Sequence, residues 1–262
     1  MKPELFHFGS YTVYGYGFAI FMGVLFAYLH FWWNRKSIGI TDDQISTLII
    51  LCGVSVFVGG KLFFYLENPL LYMKNPSRLL DNIGDGFVFY GSFLLTILVL
   101  VYWFKKQKMA FWGMMDEVGI AGAFVHAFGK LGCYLAGCCY GLVCNEKIGI
   151  VFTDPNCRAR PLNMPLYPVQ LWDAGIVFTA IALMYWKRNN KDFGGQLFFI
   201  YAIFYGIGRV VTEEFRGDVS RGFLFNGSLS HSQFIGILVI LASLFGYYWL
   251  NTHKSRTPAE IN

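Results

Sequence analysis

Phe128-Gly129-Lys130-Leu131-Gly132-Cys133-Tyr134-Leu135-Ala136-Gly137-Cys138-Cys139-Tyr140-Gly141 sets an ammonium group inside a run that otherwise reads as a membrane helix. A cation in hydrocarbon is expensive, so it persists where it is paired or functional. If this run is a span, the rest of the chain must suit the same solvent, and it does. Of 262 residues, 55% are hydrophobic, 19% aromatic and only 14% charged, too apolar and too sparsely charged for an ordinary soluble domain. The chain reads as an integral membrane protein.

Seven stretches, at 12–33, 45–66, 86–104, 117–139, 168–186, 195–213 and 231–250, approach the roughly 20 apolar residues needed to cross about 30 Å of hydrocarbon. The expected fold is therefore an all-α polytopic membrane protein of seven transmembrane helices, a single integral membrane domain over residues 1–262. The first stretch has neither the basic flank nor the small-residue cleavage pattern of a signal peptide, so it is expected to remain in the mature protein. Arg35 and Lys36, then Lys105, Lys106 and Lys108, then Lys187, Arg188 and Lys191, then Lys254 and Arg256 all follow odd-numbered stretches. Their side is assigned to the cytoplasm, with the N-terminus outside and the C-terminus inside. Lys61, Lys130 and Arg209 fall within spans, so the net charge of +5 is divided between inner-face and intramembrane cations and makes no nucleic-acid patch. The longer connections, 67–85, 140–167 and 214–230, lie on the outer side, where function is expected. Their turn signals (Asn68-Pro69, Asn75-Pro76, Gly84-Asp85-Gly86, Asp154-Pro155, Arg160-Pro161, Arg216-Gly217-Asp218) predict partial order.

The intramembrane polar residues fall on stripes. In the fourth stretch His126, Lys130, Cys133 or Tyr134, Gly137 and Gly141 recur every three or four residues and share one helix face. Gly137 and Gly141 form a small-xxx-small pair that admits another helix or a lipid chain, or simply serves helix packing. In the sixth, Tyr201, Tyr205, Arg209 and Glu213 are each four apart, and Arg216 extends the stripe by a turn. Glu213 placed after Arg209 is the less favourable order for an intrahelical pair, which points these groups toward other helices. Arginine suits bidentate phosphate binding; the architectural alternative is a salt bridge from Lys130 or Arg209 to Glu213. Tyr90, in Phe89-Tyr90-Gly91-Ser92, is either an interfacial anchor or a hydrogen-bonding group able to act as a base beside cations.

Five of the six cysteines cluster at Cys133, Cys138, Cys139, Cys144 and Cys157, with Cys52 apart. On an oxidising outer side Cys144 and Cys157 can form a disulfide. Paired CxxC spacing is absent, so a metal is not expected, and Cys138 and Cys139 read first as packing residues and second as redox groups.

Taken in order, several segments resemble the prolipoprotein diacylglyceryl transferase family of bacterial inner membranes. They are Tyr16-Gly17, Gly59-Gly60-Lys61, Asp85-Gly86-Phe87-Val88-Phe89-Tyr90-Gly91, Gly129-Lys130-Leu131-Gly132 through Gly141, Tyr167-Pro168-Val169-Gln170-Leu171, Arg209 through Arg216, and Leu229-Ser230-His231-Ser232-Gln233. The resemblance implies a multi-pass inner-membrane enzyme without a cofactor. It would move a diacylglyceryl group from phosphatidylglycerol to the cysteine of lipoprotein signal peptides, releasing glycerol phosphate. A phosphate leaving group calls for cations, and a thiol of pKa about 8.5 calls for a base or a positive field.

The chain also departs from that family. It has Tyr90-Gly91-Ser92 in place of His-Gly-Gly, Lys130 in place of arginine, Cys133 in place of asparagine, Cys138 in place of glutamate, and Tyr167 in place of histidine, while keeping Tyr16, Gly141, Gln170, Arg209 and Glu213. The resemblance then assigns Arg209 and Lys130 to the phosphate, Tyr90 to the base, Glu213 to orienting them, and Tyr16 and Gly141 to the lining. Lys61, Gln170, Arg216 and Gln233 complete the lipid contacts. His126, His231, Glu213 or the field alone are the alternatives to Tyr90. A lipid-binding relative without catalysis and a membrane thiol-redox protein are the competing functions.

Overall fold

A computed structural model describes residues 3–9, 11–67, 69–75, 77, 86–218, 222–224 and 228–253. The turn signals at Asn68, Pro76, Gly84 and Asp85, and the terminal Lys254, Arg256 and Glu260, lie outside the described residues.

An antiparallel ribbon, β1 (Glu4–Phe8) with β2 (Tyr11–Tyr14), leads into α1 (Gly15–Ile38), α2 (Asp42–Glu67), the short α3 (Pro69–Lys74), α4 (Phe89–Lys106) and α5 (Phe111–Ala136). A second ribbon, β3 (Ile150–Val151) with β4 (Pro165–Leu166), precedes α6 (Val169–Arg188) and α7 (Gln196–Glu213). A third, β5 (Phe223–Leu224) with β6 (Leu229–Ser230), precedes α8 (His231–Thr252). The protein is helical, as expected; the second and third ribbons sit in connections, where strands of two residues leave no periodicity to read, and the first precedes α1, its β2 taking residues 12–14 of the expected first span.

Among the described residues five helices, α1, α2, α5, α6 and α8, are long and apolar enough to cross a membrane. The other two long ones, α4 and α7, have 18 residues each; α4 ends in Lys105-Lys106, and α7 carries Arg209 and Glu213. Phe21, Leu98, Trp186 and Phe245 are among the many large apolar side chains left exposed, a surface suited to lipid.

The chain divides into two compact units, Phe31–Met114 and Met1–His30 with Met115–Asn262. In the first, α2 meets α4 at Gly59 and Gly91, where a Cβ on either would overlap the backbone of the other. Ser92 Oγ donates to the Val56 carbonyl at 2.7 Å, and the Val88 N–H to the Gly60 carbonyl at 3.2 Å. Close backbone approach through small residues is how apolar helices associate in lipid, which is as apolar as leucine.

In the second unit α5, α6 and α7 share a core of Ile120, Ala123, Ala127, Val177, Ile181, Met184 and Leu197. Helix α7 packs on α8 through Gly206 and Gly236, and α1 packs on α5 where Gly23 lies against Val125 and Phe128, and Gly132 against Tyr16 and Ala19. Beyond α5, Phe152, Cys157, Ala159 and Leu166 form a small core inside the 140–168 connection.

The end of α5 corrects one expectation. The helix stops at Ala136, because Gly137 takes a left-handed backbone (φ +73°). The Gly137 N–H then bonds the Tyr134 carbonyl (3.3 Å) and the Cys138 N–H the Cys133 carbonyl (3.0 Å), the paired bonds of a Schellman stop. Gly137 and Gly141 are therefore not a helical small-xxx-small pair. The apolar composition of 137–139 extended the expected span past a glycine that terminates it.

Candidate functional site

The site is built from α5, α6, α7 and the chain that follows α5 and α7. Lys130, on α5, points to α6 and pairs with Asp173 at 2.5 Å. Asp173 is 3% exposed, and a buried ammonium left without a carboxylate would be severely destabilising. Gly208 of α7 lies beside Asp173, where a Cβ would meet Asp173 Oδ1 at 3.4 Å, an ordinary contact. One turn earlier on α5, His126 shares a hydrogen bond with the Tyr201 hydroxyl (3.0 Å) and meets Tyr205 edge-on at 5.7 Å. The stripes read on the fourth and sixth stretches thus face each other.

Arg209 Nη2 donates to Glu213 Oε2 at 2.9 Å, and Arg216 Nη1 approaches the same oxygen at 3.4 Å. Of the two readings of Glu213, the salt bridge from Arg209 is the one formed: Glu213 pairs within its own helix and the turn beyond it, despite the unfavourable order, because burial removes the water that would otherwise compete. Lys130 has a different acid, and both cations bear on Asp173. Arg216 is also forked onto Asp218 through Nε and Nη2. Burial alone would lower the Arg216 pKa, but the hydrogen bond to Asp218 and the carboxylate charges of Asp218 and Glu213 outweigh it and raise it, so this guanidinium is permanently charged.

Gly141 is where three segments cross. It bridges Arg216, and the neighbouring bonds run from the Leu142 N–H to the Phe215 carbonyl (2.8 Å), from the Gly217 N–H to the Tyr140 carbonyl (2.9 Å) and from the Tyr167 N–H to the Leu142 carbonyl (3.0 Å). A Cβ on Gly141 would overlap the Tyr167 backbone, and one on Gly217 the Gly141 carbonyl, so both crossings require glycine. Gln170, fully buried at the start of α6, donates from Nε2 to the Cys138 carbonyl (2.8 Å), while its Oε1 has no partner among the described residues. The Tyr16 ring lies against Gly132.

The remaining predicted residues are placed as follows. Gln233 forms a capping box with Ser230 at the start of α8 and hydrogen-bonds Glu214, so its amide is engaged in holding a helix end. Lys61 and Tyr90 belong to the other compact unit. There Lys61 Nζ donates to the Gly86 carbonyl at 3.0 Å and lies over the Phe64 ring, and Tyr90 is half-exposed at the start of α4. His231 lies at the α8 N-terminus beside Gly222. Cys144 and Cys157 are free thiols, with no disulfide between them; Cys157 is buried in the small core of the 140–168 connection.

Three features were missed in the sequence. Asp173 stands on neither stripe and is not singled out by the sequence, yet a cation inside a span demands a carboxylate inside one. Asp218 read as a turn residue. The sulfurs of Cys133, Cys138 and Cys139 all lie within 4.8 Å of one another; the turn at Gly137 brings them together, and CxxC spacing does not describe it.

Apolar helices holding arginine and lysine in their interior, each cation paired with an acid, define a membrane protein with a buried charge cluster near the end of α5. Comparison with known proteins says which. A family model described as prolipoprotein diacylglyceryl transferase matches residues 3–249. A phosphatidylglycerol–prolipoprotein diacylglyceryl transferase of Clostridium tetani is 34% identical over 245 residues, covering 94% of this chain and 96% of the relative. One from Clostridium perfringens is 33% identical over 244 residues (93% of each), and one from Rickettsia bellii 27% over 257 (94% of each). The chain belongs to the prolipoprotein diacylglyceryl transferase family, and it is a membrane-located transferase.

Proposed function

We propose that this protein transfers the diacylglyceryl group of phosphatidylglycerol to the cysteine thiol of prolipoprotein signal peptides, and that Arg209 and Lys130 bind the donor phosphate. The observation that carries the site assignment is spare donor capacity. A guanidinium has five N–H donors and an ammonium three, yet among the described residues Arg209 is bonded to Glu213 alone and Lys130 to Asp173 alone.

The substrate sulfur attacks the glycerol carbon that carries the phosphate. The carbon–oxygen bond breaks, the electron pair leaves with the phosphate oxygen, and a thioether and glycerol phosphate result. Charge grows on that oxygen, where Arg209 and Lys130 stabilise it in a water-poor site. Glu213 orients Arg209, Asp173 positions Lys130, and the positive field of the two cations favours the substrate thiolate over the thiol, whose proton leaves to solvent. Tyr16 and Gly141 line the lipid path, with Gln170, Arg216 and Gln233 as further lipid contacts. The seven long helices are read as seven spans of one domain in the bacterial inner membrane, with the N-terminus outside and the C-terminus inside.

The test is purified protein incubated with phosphatidylglycerol and a peptide bearing a lipoprotein signal cysteine. The expected product is a diacylglyceryl adduct on that cysteine by mass spectrometry, reduced in Arg209→Ala. No adduct under conditions where a known transferase works overturns the reaction; an undiminished yield in Arg209→Ala overturns the site.

A further inference from the structure

We infer that Cys133, Cys138 and Cys139 form a binding site for one thiophilic metal cation, held by three sulfurs where α5 ends. Their separations, all within 4.8 Å, are close to the roughly 3.8–4.0 Å that metal–sulfur bonds of about 2.3 Å impose on a three-sulfur cage. Closing the difference takes side-chain adjustment and no refolding.

The backbone holds the ligands in this arrangement. Gly137 reverses the chain, the Cys138 N–H is fixed to the Cys133 carbonyl at 3.0 Å, and Gln170 holds the Cys138 carbonyl at 2.8 Å. Cys139 then takes a left-handed backbone (φ +55°), a conformation a side chain adopts at a cost, and that turn brings back the third sulfur. All three thiols are free and only partly buried, so an ion can reach them. Three thiolates around a divalent cation leave one net negative charge, and Lys130 and Arg216, which both bear on Cys139, are positioned to offset it.

Binding displaces the thiol protons to solvent and changes no oxidation state. A disulfide would use two of the sulfurs, leave the third idle and require an oxidant. The loaded ion would stand beside Lys130 and oppose transfer. That consequence rests on the function proposed above; the binding does not.

Full-length protein in detergent, reduced and then freed of reductant, is titrated with Cd2+. The expected result is an ultraviolet sulfur-to-cadmium charge-transfer band saturating at one ion per chain. Cys133→Ser, Cys138→Ser and Cys139→Ser should each weaken binding by at least about 100-fold, beyond the 10- to 100-fold typical of changes to outer-shell partners; Cys52→Ser and Cys144→Ser should leave it unchanged. In the wild type, Cd2+ should protect Cys133, Cys138 and Cys139 from alkylation, read by mass spectrometry, and leave Cys144 reactive, a measurement that needs no variant to fold. Absence of the band, binding unchanged in the three variants, or alkylation of the three residues unaffected by Cd2+ each overturns the site. Because none of these readouts uses the transferase assay, an inactive protein that binds Cd2+ separates the two proposals.

Discussion

The two ends of α5 carry buried charge of different kinds. Near its start, Asp116 accepts from Lys191 (2.9 Å) and from the backbone N–H groups of Gly195 (3.0 Å), Leu197 (2.8 Å) and Phe198 (3.2 Å). Glu117 accepts from His30 (2.9 Å) and Arg188 (3.2 Å), and His30 is bonded in turn to Tyr185 (2.7 Å). Near the other end, about 21 Å away at 1.5 Å per residue, Lys130 and Arg209 each meet one carboxylate. The first network is organised around saturated acids, the second around cations with donors left over. Both are buried and both pair opposite charges, so burial and pairing do not distinguish scaffold from site. On the function proposed above, the unspent donors of Arg209 and Lys130, set inside expected spans, mark the second network as the site.

That contrast can be broken by mutation. Asp116→Ala should cause the largest loss of stability, about 3–5 kcal/mol for a buried pair deprived of one partner, read as a lower midpoint of thermal unfolding in detergent. The folded fraction should keep its specific activity. Arg209→Ala should do the opposite, lowering the specific activity of the folded fraction by about 10²–10³-fold, with a smaller fall in the unfolding midpoint because Arg216 still reaches Glu213. If Arg209→Ala proves mainly a stability variant, the distinction fails. Lys130→Ala should cost about 100-fold in the same assay, and Lys130→Arg, which keeps the charge and adds a fork, should retain most activity. Gly141→Ala, which forces a Cβ into the Tyr167 backbone, should destabilise by about 1–3 kcal/mol. Ser230→Ala, which removes the α8 cap, should cost about 1 kcal/mol; both are read by unfolding.

The helices were legible because their signal is local. Apolar length placed 195–213 and 231–250 within a residue or two of α7 and α8. Where a helix end depends on one backbone dihedral, as at Gly137, composition carried the expectation three residues too far. The stripes were legible too, since period alone put Lys130 below Cys133 and Arg209 above Tyr205. Partner choice was not. Whether Lys130 meets Arg209, Glu213 or Asp173 depends on the rotation of α6 against α5, which the apolar core they share with α7 settles and no single segment encodes. The three-thiol cluster was hidden for a related reason: its spacing follows from a chain reversal, and the turn has to be known before the sulfurs can be seen to meet.

Asp116 also has a temporal meaning. The backbone groups it receives lie 79 to 82 residues further along the chain, and at about 5–20 residues per second they leave the ribosome ~4–16 s later. Over that interval an apolar helix carries a carboxylate whose receptors do not yet exist. The start of α7 is consequently the point in synthesis at which α5 can first be committed to its final place, and chains truncated before Gly195 should be recognisable to quality control by that unanswered acid.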